Sequence, residues 1–141
     1  MYTLFYAEDD QDDIFLFQSV LNEMNIAHEL VVASNGQELI DNLDNPPPSP
    51  QLVFIDLNMP VKNGLESLEE IRASIEYGKV PIIILSTSSD EEAIERAKEL
   101  GADMYIVKPT NYGQLRTFLQ ECLAIDWLNF RKDPMKVFLI K

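Results

Sequence analysis

Four short apolar runs in this chain each stop on a residue that can do chemistry. Thr3 to Ala7 stops on Glu8-Asp9, Leu52 to Ile55 on Asp56, Val80 to Leu85 on Ser86, and Met104 to Val107 on Lys108. Carboxylates that converge repel, and they raise one another's pKa unless a cation relieves them. An all-oxygen cluster with little enclosure suits Mg²⁺, with the backbone carbonyl of Asn58 and waters as further ligands. Lys108 then places a positive charge opposite the metal. Between the two is room for a dianionic phosphoryl group, with the Ser86 hydroxyl positioned to hydrogen-bond it. Singly, each residue has an ordinary role: an aspartate caps a turn, a serine caps a helix, and an acidic run starts one. Their shared position at strand ends is what points to a site.

The elements that must position these groups follow from periodicity. Apolar runs this short, bounded by Pro, Asn or Gly, read as strands buried on both faces of a parallel sheet. His28 to Val32 supplies a second strand without polar chemistry at its end. Between the strands lie helical patterns: Ile14, Phe17, Val20, Leu21 and Met24; Leu39, Ile40 and Leu43; Leu65, Leu68, Ile71 and Ile75; Ala93, Ile94, Ala97 and Leu100. A last helix runs from about Asn111 to Ala124. Asn35-Gly36 and Asn63-Gly64 mark helix entries, Asp90 is a cap, and Gly101 is a stop. Asp10, Asp12 and Asp13 read as helix-start residues favoured by the macrodipole.

Five strands alternating with five helices imply an α/β, doubly wound, five-stranded parallel sheet of order 2-1-3-4-5, a flavodoxin-like (βα)5 arrangement. In that order the first and third strands straddle the point where the winding reverses. Ligands bind at the carboxyl edge of such a sheet there, which is where Glu8, Asp9 and Asp56 converge.

Composition narrows the function classes. The 141 residues make one domain with a sizeable core. With 24 acidic against 11 basic residues the net charge is −13, which repels a polyanion and argues against direct nucleic-acid binding. No run approaches a membrane span and the N-terminus lacks a signal peptide's basic flank, so a cytoplasmic protein is expected. The lone Cys122, in helical register with Leu115, Phe118 and Leu119, reads as a core residue. His28 has no metal-ligating partner in sequence. The segment Asp44 to Pro50 is a stiff connector, too short for an interdomain linker.

The chain resembles a receiver domain of a two-component response regulator. The features that carry the resemblance are the acidic pair Glu8-Asp9, the stretch Asp56-Leu57-Asn58-Met59-Pro60 followed by Asn63-Gly64, the hydroxyl Ser86, the aromatic Tyr105, and Lys108-Pro109. The stretches His28-Glu29-Leu30 and Ser86-Thr87-Ser88 and the tryptophan-bearing tail resemble the stand-alone, phytochrome-associated members. The resemblance implies that Asp56 accepts a phosphoryl group from a phosphohistidine. It implies that Asp9, Asp56 and the Asn58 carbonyl bind Mg²⁺ directly, Glu8 acting largely through water. Lys108 would pair with phosphate across a cis Lys108-Pro109 bond. Ser86 and Tyr105 would be the switch that reports phosphorylation to the face of the fourth helix, fifth strand and fifth helix. Asn58 and Ser88 would flank the path of hydrolysing water.

Such a protein is a phosphoacceptor that assists its own phosphorylation and slow self-dephosphorylation. It turns over no separate metabolite. A flavodoxin-like cofactor binder is the alternative, but the acidic loop after the first strand would repel a flavin phosphate. A phosphatase with an aspartyl-phosphate intermediate wants a second carboxylate two residues after the nucleophile, where Asn58 stands. Expected partners are a sensor histidine kinase or phosphotransfer protein.

Residues 1–125 are expected to form the receiver and 126–141 a C-terminal extension with no separate output domain. That tail, Trp127 to Lys141, is too rich in aromatic and β-branched residues for a disordered end. Trp127 and Phe130 are expected to pack on the domain, and Pro134 to stop any helix. Val137 to Ile140 are expected to offer themselves either to a second subunit, in a homodimer through the tail or through the fourth helix, fifth strand and fifth helix, or to a different partner that docks on them.

Overall fold

Alternation of apolar runs with amphipathic stretches produces, in order, β1 (Tyr2–Ala7), α1 (Gln11–Glu23), β2 (His28–Ala33), α2 (Gly36–Asp44), β3 (Leu52–Ile55), α3 (Gly64–Ala73), β4 (Ile82–Ser86), α4 (Glu91–Glu99), β5 (Met104–Val107), α5 (Tyr112–Ala124), α6 (Trp127–Lys132) and β6 (Leu139–Ile140). The computed structural model describes all 141 residues. Every strand pair is parallel and the sheet order is β2-β1-β3-β4-β5-β6.

Side chains alternate across the strands, so each strand feeds two cores. Phe5, Val53, Ile55, Ile82, Ile84 and Tyr105 pack on the face covered by α2, α3 and α4. Leu4, Tyr6, Phe54, Ile83, Leu85 and Ile106 pack on the opposite face against α1, α5 and α6. Every residue of β3 and β4 is buried, which is why these runs carry no polar alternation.

Side-chain caps set the helix starts. Asp10, Asn35, Asn63, Asp90, Asn111 and Asp126 each accept a backbone N–H from three residues on. A cap of this kind stabilises by about 1 kcal/mol. Asn63 and Glu66 close a reciprocal capping box.

Two expectations are corrected. Ile75 is not part of the inward face of α3, because the helix stops at Ala73 and Ile75 is fully exposed. Ser74 takes an extended conformation, and the Arg72 guanidinium gathers the carbonyls of Gly78 and Val80, turning the chain so that Tyr77 and Val80 pack inward instead. The sheet also has six strands, not five. Leu139 and Ile140 pair with Tyr105 and Ile106 of the same chain, and the Tyr105 N–H donates to the Phe138 carbonyl at 2.8 Å. The strand-forming end of the tail is thus engaged within its own sheet rather than offered to a second subunit.

The tail is held at two further places. Trp127 is buried and donates its indole N–H to the Cys122 carbonyl, with Phe130 edge-on to it at 5.1 Å. Arg131 forks onto Asp103 at 2.6 and 2.9 Å. Asp103 is itself buried and also accepts from Arg72 (2.9 Å) and the Ile82 N–H (2.8 Å). Burial lowers the Arg72 pKa although Asp103 opposes it, whereas the hydrogen bonds to Asp103 raise that of Arg131. Cys122 is a core residue, its thiol pushed up to about 12 by burial.

Candidate functional site

Parallel pairing of β1 with β3 places Ala7 beside Ile55, so the next residues, Glu8 and Asp56, leave the sheet side by side. The backbone holds them there: the Asp56 N–H donates to the Ala7 carbonyl at 3.0 Å and the Glu8 N–H to the Ala33 carbonyl at 2.9 Å. Carboxylate oxygens of Glu8, Asp9 and Asp56 lie within 4.8 Å of one another, Glu8 and Asp56 buried and Asp9 exposed. This is a hard, all-oxygen donor set with one open side, and it fits a divalent cation that keeps several waters.

The opposing charge comes from β5. Pairing of Ser86 with Val107 and the 2.8 Å bond from the Lys108 N–H to the Ser86 carbonyl bring Lys108 across the rim. Its ammonium meets Glu8 directly, reaches Asp13 Oδ2 at 2.7 Å and stands 3.9 Å from Asp56. The Lys108-Pro109 bond is trans, a correction to the cis form that the resemblance implied; the cis bonds are Pro46-Pro47 and Pro47-Pro48. Trans is the favoured isomer, and Lys108 reaches its partners without the other.

Electrostatics follow from this crowding. Burial, together with the neighbouring Asp56, pushes Glu8 up to about 8 against the pull of Lys108. Burial acts to lower Lys108, but its bonds to Asp13 and Glu8 more than offset that and raise it. Burial and the adjacent carboxylates raise Tyr6, whose hydroxyl faces Glu8.

Ser86 is fully buried at the end of β4, and its Oγ accepts the Ser88 N–H at 3.2 Å. Tyr105 is turned inward, its hydroxyl donating to the Ser88 carbonyl at 2.8 Å, and burial raises its pKa. Asn58 is exposed and lines, with Asn63, Ser88 and Asp9 of the carboxylate cluster, an open cleft of about 710 Å³. The loop bearing Asp56 is closed by Gly64, whose N–H donates to the Leu57 carbonyl. A Cβ at Gly64 would stand 2.4 Å from the Asp56 carbonyl oxygen, so the helix can approach the site only without a side chain there.

Residues 4–120 match the family model of the response regulator receiver domain. This chain belongs to that family. Receivers of this kind work by taking a phosphoryl group on an aspartate. The receiver is 32% identical over 119 residues to the response regulator Rcp1 of Synechocystis sp., covering 81% of each chain. It also matches 95 residues of the nitrate/nitrite response regulator NarL of Escherichia coli at 38% identity, which is 65% of this chain and 41% of that one. Among solved structures it resembles the phosphorylated cyanobacterial phytochrome response regulator RcpA, with 32% identity, a TM-score of 0.80, and 90% and 94% of the two chains covered. The Mn²⁺-bound form of Rcp1 gives 29% identity and a TM-score of 0.78, with 89% of this chain and 94% of that one covered. Phytochrome response regulators are thus among its structural neighbours, in keeping with the resemblance carried by the short stretches of sequence.

Of the residues expected at the site, the receiver brings Glu8, Asp9, Asp56 and Lys108 together and sets Asn58 on the cleft that Asp9 also lines. Ser86 and Tyr105 both bond to the backbone of Ser88, one through its N–H and the other through its carbonyl. Sequence reasoning missed Asp13, taken only as a helix-start residue. No local signal in the sequence pointed to it, since its partner Lys108 lies 95 positions away.

Proposed function

We propose that the chain is a phosphorylation-driven switch in which Asp56 is the phosphoacceptor. A carboxylate oxygen of Asp56 attacks the phosphorus of a kinase phosphohistidine, the P–N bond breaks, and the imidazole leaves with the electron pair and takes up a proton. Lys108 stabilises negative charge on the phosphoryl oxygens. Glu8, Asp9, Asp56 and the carbonyl of Asn58 would hold Mg²⁺, which when bound would neutralise charge on those same oxygens. Ser86 reports the phosphoryl group by a hydrogen bond, and Tyr105 relays it to the surface of α4, β5 and α5. Residues 1–125 carry this chemistry and 126–141 complete the sheet.

The observation that carries the reading is the opposition of Lys108 to three carboxylates that share one rim of the sheet. The partner is a sensor histidine kinase or phosphotransfer protein in the cytoplasm, and the output is protein contact, including a homodimer through the α4, β5 and α5 face, rather than nucleic-acid binding. Incubation with acetyl phosphate and Mg²⁺, read by intact mass, tests the assignment. One phosphoryl group on the wild type and none on Asp56→Asn is expected; equal labelling of both sinks it.

A further inference from the structure

Asp13 has no place in the chemistry set out above, yet it makes one of the closest contacts to Lys108. Its backbone is fixed by the cap of α1, where its N–H donates to Asp10 Oδ1 at 3.0 Å. From there the side chain crosses 95 positions of sequence to Lys108 Nζ at 2.7 Å, while Asp56 is 3.9 Å from the same nitrogen. The Lys108 side chain is only 11% exposed, whereas that of Asp13 is 36% exposed. An ammonium has three N–H bonds, and here Glu8 and Asp13 take two of them before any phosphoryl group arrives.

We propose that Asp13 is a positioning residue that competes with the incoming phosphoryl group for Lys108 and so restrains phosphorylation of Asp56. The inference rests on Asp56 being the acceptor. Glu8 is buried and belongs to the carboxylate cluster, so its hold on Lys108 is bound up with the cation site. Asp13 lies outside that cluster, in half-exposed surroundings where its ion pair is weak enough to be exchanged. A phosphoryl oxygen arriving at Asp56 takes the ammonium from Asp13, and the Asp13 carboxylate turns to solvent. The same carboxylate shares Lys108 with Asp56, so it also adds negative charge close to where a dianionic donor must react.

The test uses wild type, Asp13→Asn, Asp13→Glu and, as a control for net acidity, Asp12→Asn in the exposed first turn of α1. Each is labelled with acetyl phosphate and Mg²⁺ over a range of donor concentrations and followed by intact mass. Asp13→Asn is expected to label about fivefold faster at low donor, the change falling mainly on KM; that factor corresponds to about 1 kcal/mol. Asp13→Glu restores the wild-type rate, Asp12→Asn matches wild type, and the rise in Tm on adding Mg²⁺ is the same in all four. Asp13→Ser, which likewise has no charge to pair with Lys108, is expected to show the same acceleration and replaces Asp13→Asn should that variant fold poorly. Unchanged or slower labelling of Asp13→Asn, equal acceleration in Asp12→Asn, or loss of the Mg²⁺-dependent Tm rise in Asp13→Asn overturns the proposal. Labelling of an Asp56→Asn, Asp13→Asn double variant would instead show that the acceptor itself was misassigned.

Discussion

Phe138 lies with its ring 6.5 Å from that of Tyr105, while its carbonyl accepts the Tyr105 N–H at 2.8 Å. A residue three positions from the end of the chain therefore covers the inward-turned tyrosine of β5. Lys98 of α4 stands 5.9 Å over the same phenyl ring, so the tail also ties α4 to β5.

Replacing Phe138 by Ala should cost about 1–2 kcal/mol, because the ring is half-buried and full burial of a phenylalanine stabilises by about 1.5–3 kcal/mol. Urea unfolding measures the loss. Hydrogen exchange at the Tyr105 amide should accelerate more than at the Ile84 amide in the sheet centre. Equal protection at both would mean that the tail does not hold β5.

The Asp103 cluster gives an asymmetric prediction. Arg131→Ala removes one of two guanidinium partners from a buried carboxylate that keeps Arg72 and the Ile82 N–H, and should cost about 1–3 kcal/mol. Asp103→Ala takes the carboxylate from both guanidinium groups and leaves the Ile82 N–H without its acceptor, and should cost about 3–5 kcal/mol. Trp127 fluorescence during urea titration separates the two. In Arg131→Ala the tail is expected to loosen before the domain unfolds, and a single shared transition would refute that order.

Stability should depend on pH through Glu8. Its folded-state pKa of about 8 lies above the value of about 4.3 expected in an unfolded chain. Between those values the folded protein binds the extra proton, so stability falls as pH rises through the window and the contribution is lost above it. Tm measured in EDTA from pH 5 to 9 should decline in wild type and decline less in Glu8→Gln. Added Mg²⁺ should raise Tm more at pH 8 than at pH 5.5, since the cation needs the ionised carboxylate. Parallel curves for the two proteins would remove Glu8 as the cause.

Lifetime of the acyl phosphate should respond to the open cleft. Asn58 and Ser88 both line it, neither is charged, and Asp9 of the carboxylate cluster opens onto it. Ser88→Glu should slow decay several-fold by narrowing the approach. Loss of the phosphoryl mass after removal of the donor measures this, and a decay rate unaltered in both Ser88→Glu and Asn58→Ala would reject the cleft as the route of hydrolysis.

The strands β1 to β5 and the carboxylates at their ends were legible because local signals and topology agree. Runs such as Val53-Phe54-Ile55 admit only a doubly buried strand, and Asn63, Asp90 and Asn111 cap where they stand in sequence. The features that escaped are non-local. Asp103 draws its partners from positions 72, 82 and 131, and Asp13 finds Lys108 across the whole chain, separations that no period reveals. The helical spacing through Ile75 ran past the true end of α3 because periodicity does not register a side chain such as Arg72 collecting carbonyls beyond the last turn. Strand β6 is two residues long, too short for alternation, and exists because the β5 edge is there to receive it.

Because β6 runs parallel to β5, the two chain ends come out on opposite rims of the sheet. Tyr2 begins β1 at the amino rim, whereas Ile140 sits beside Ile106, two residues before Lys108, so that Lys141 emerges at the rim that carries Asp56. The rims are separated by roughly the length of a five-residue strand, about 17 Å. A fluorophore or affinity handle fused after Lys141 would project from the same rim as Asp56, three strands along the sheet from β3. One placed before Met1 would leave it clear, making the amino end the place to immobilise the protein for phosphotransfer measurements.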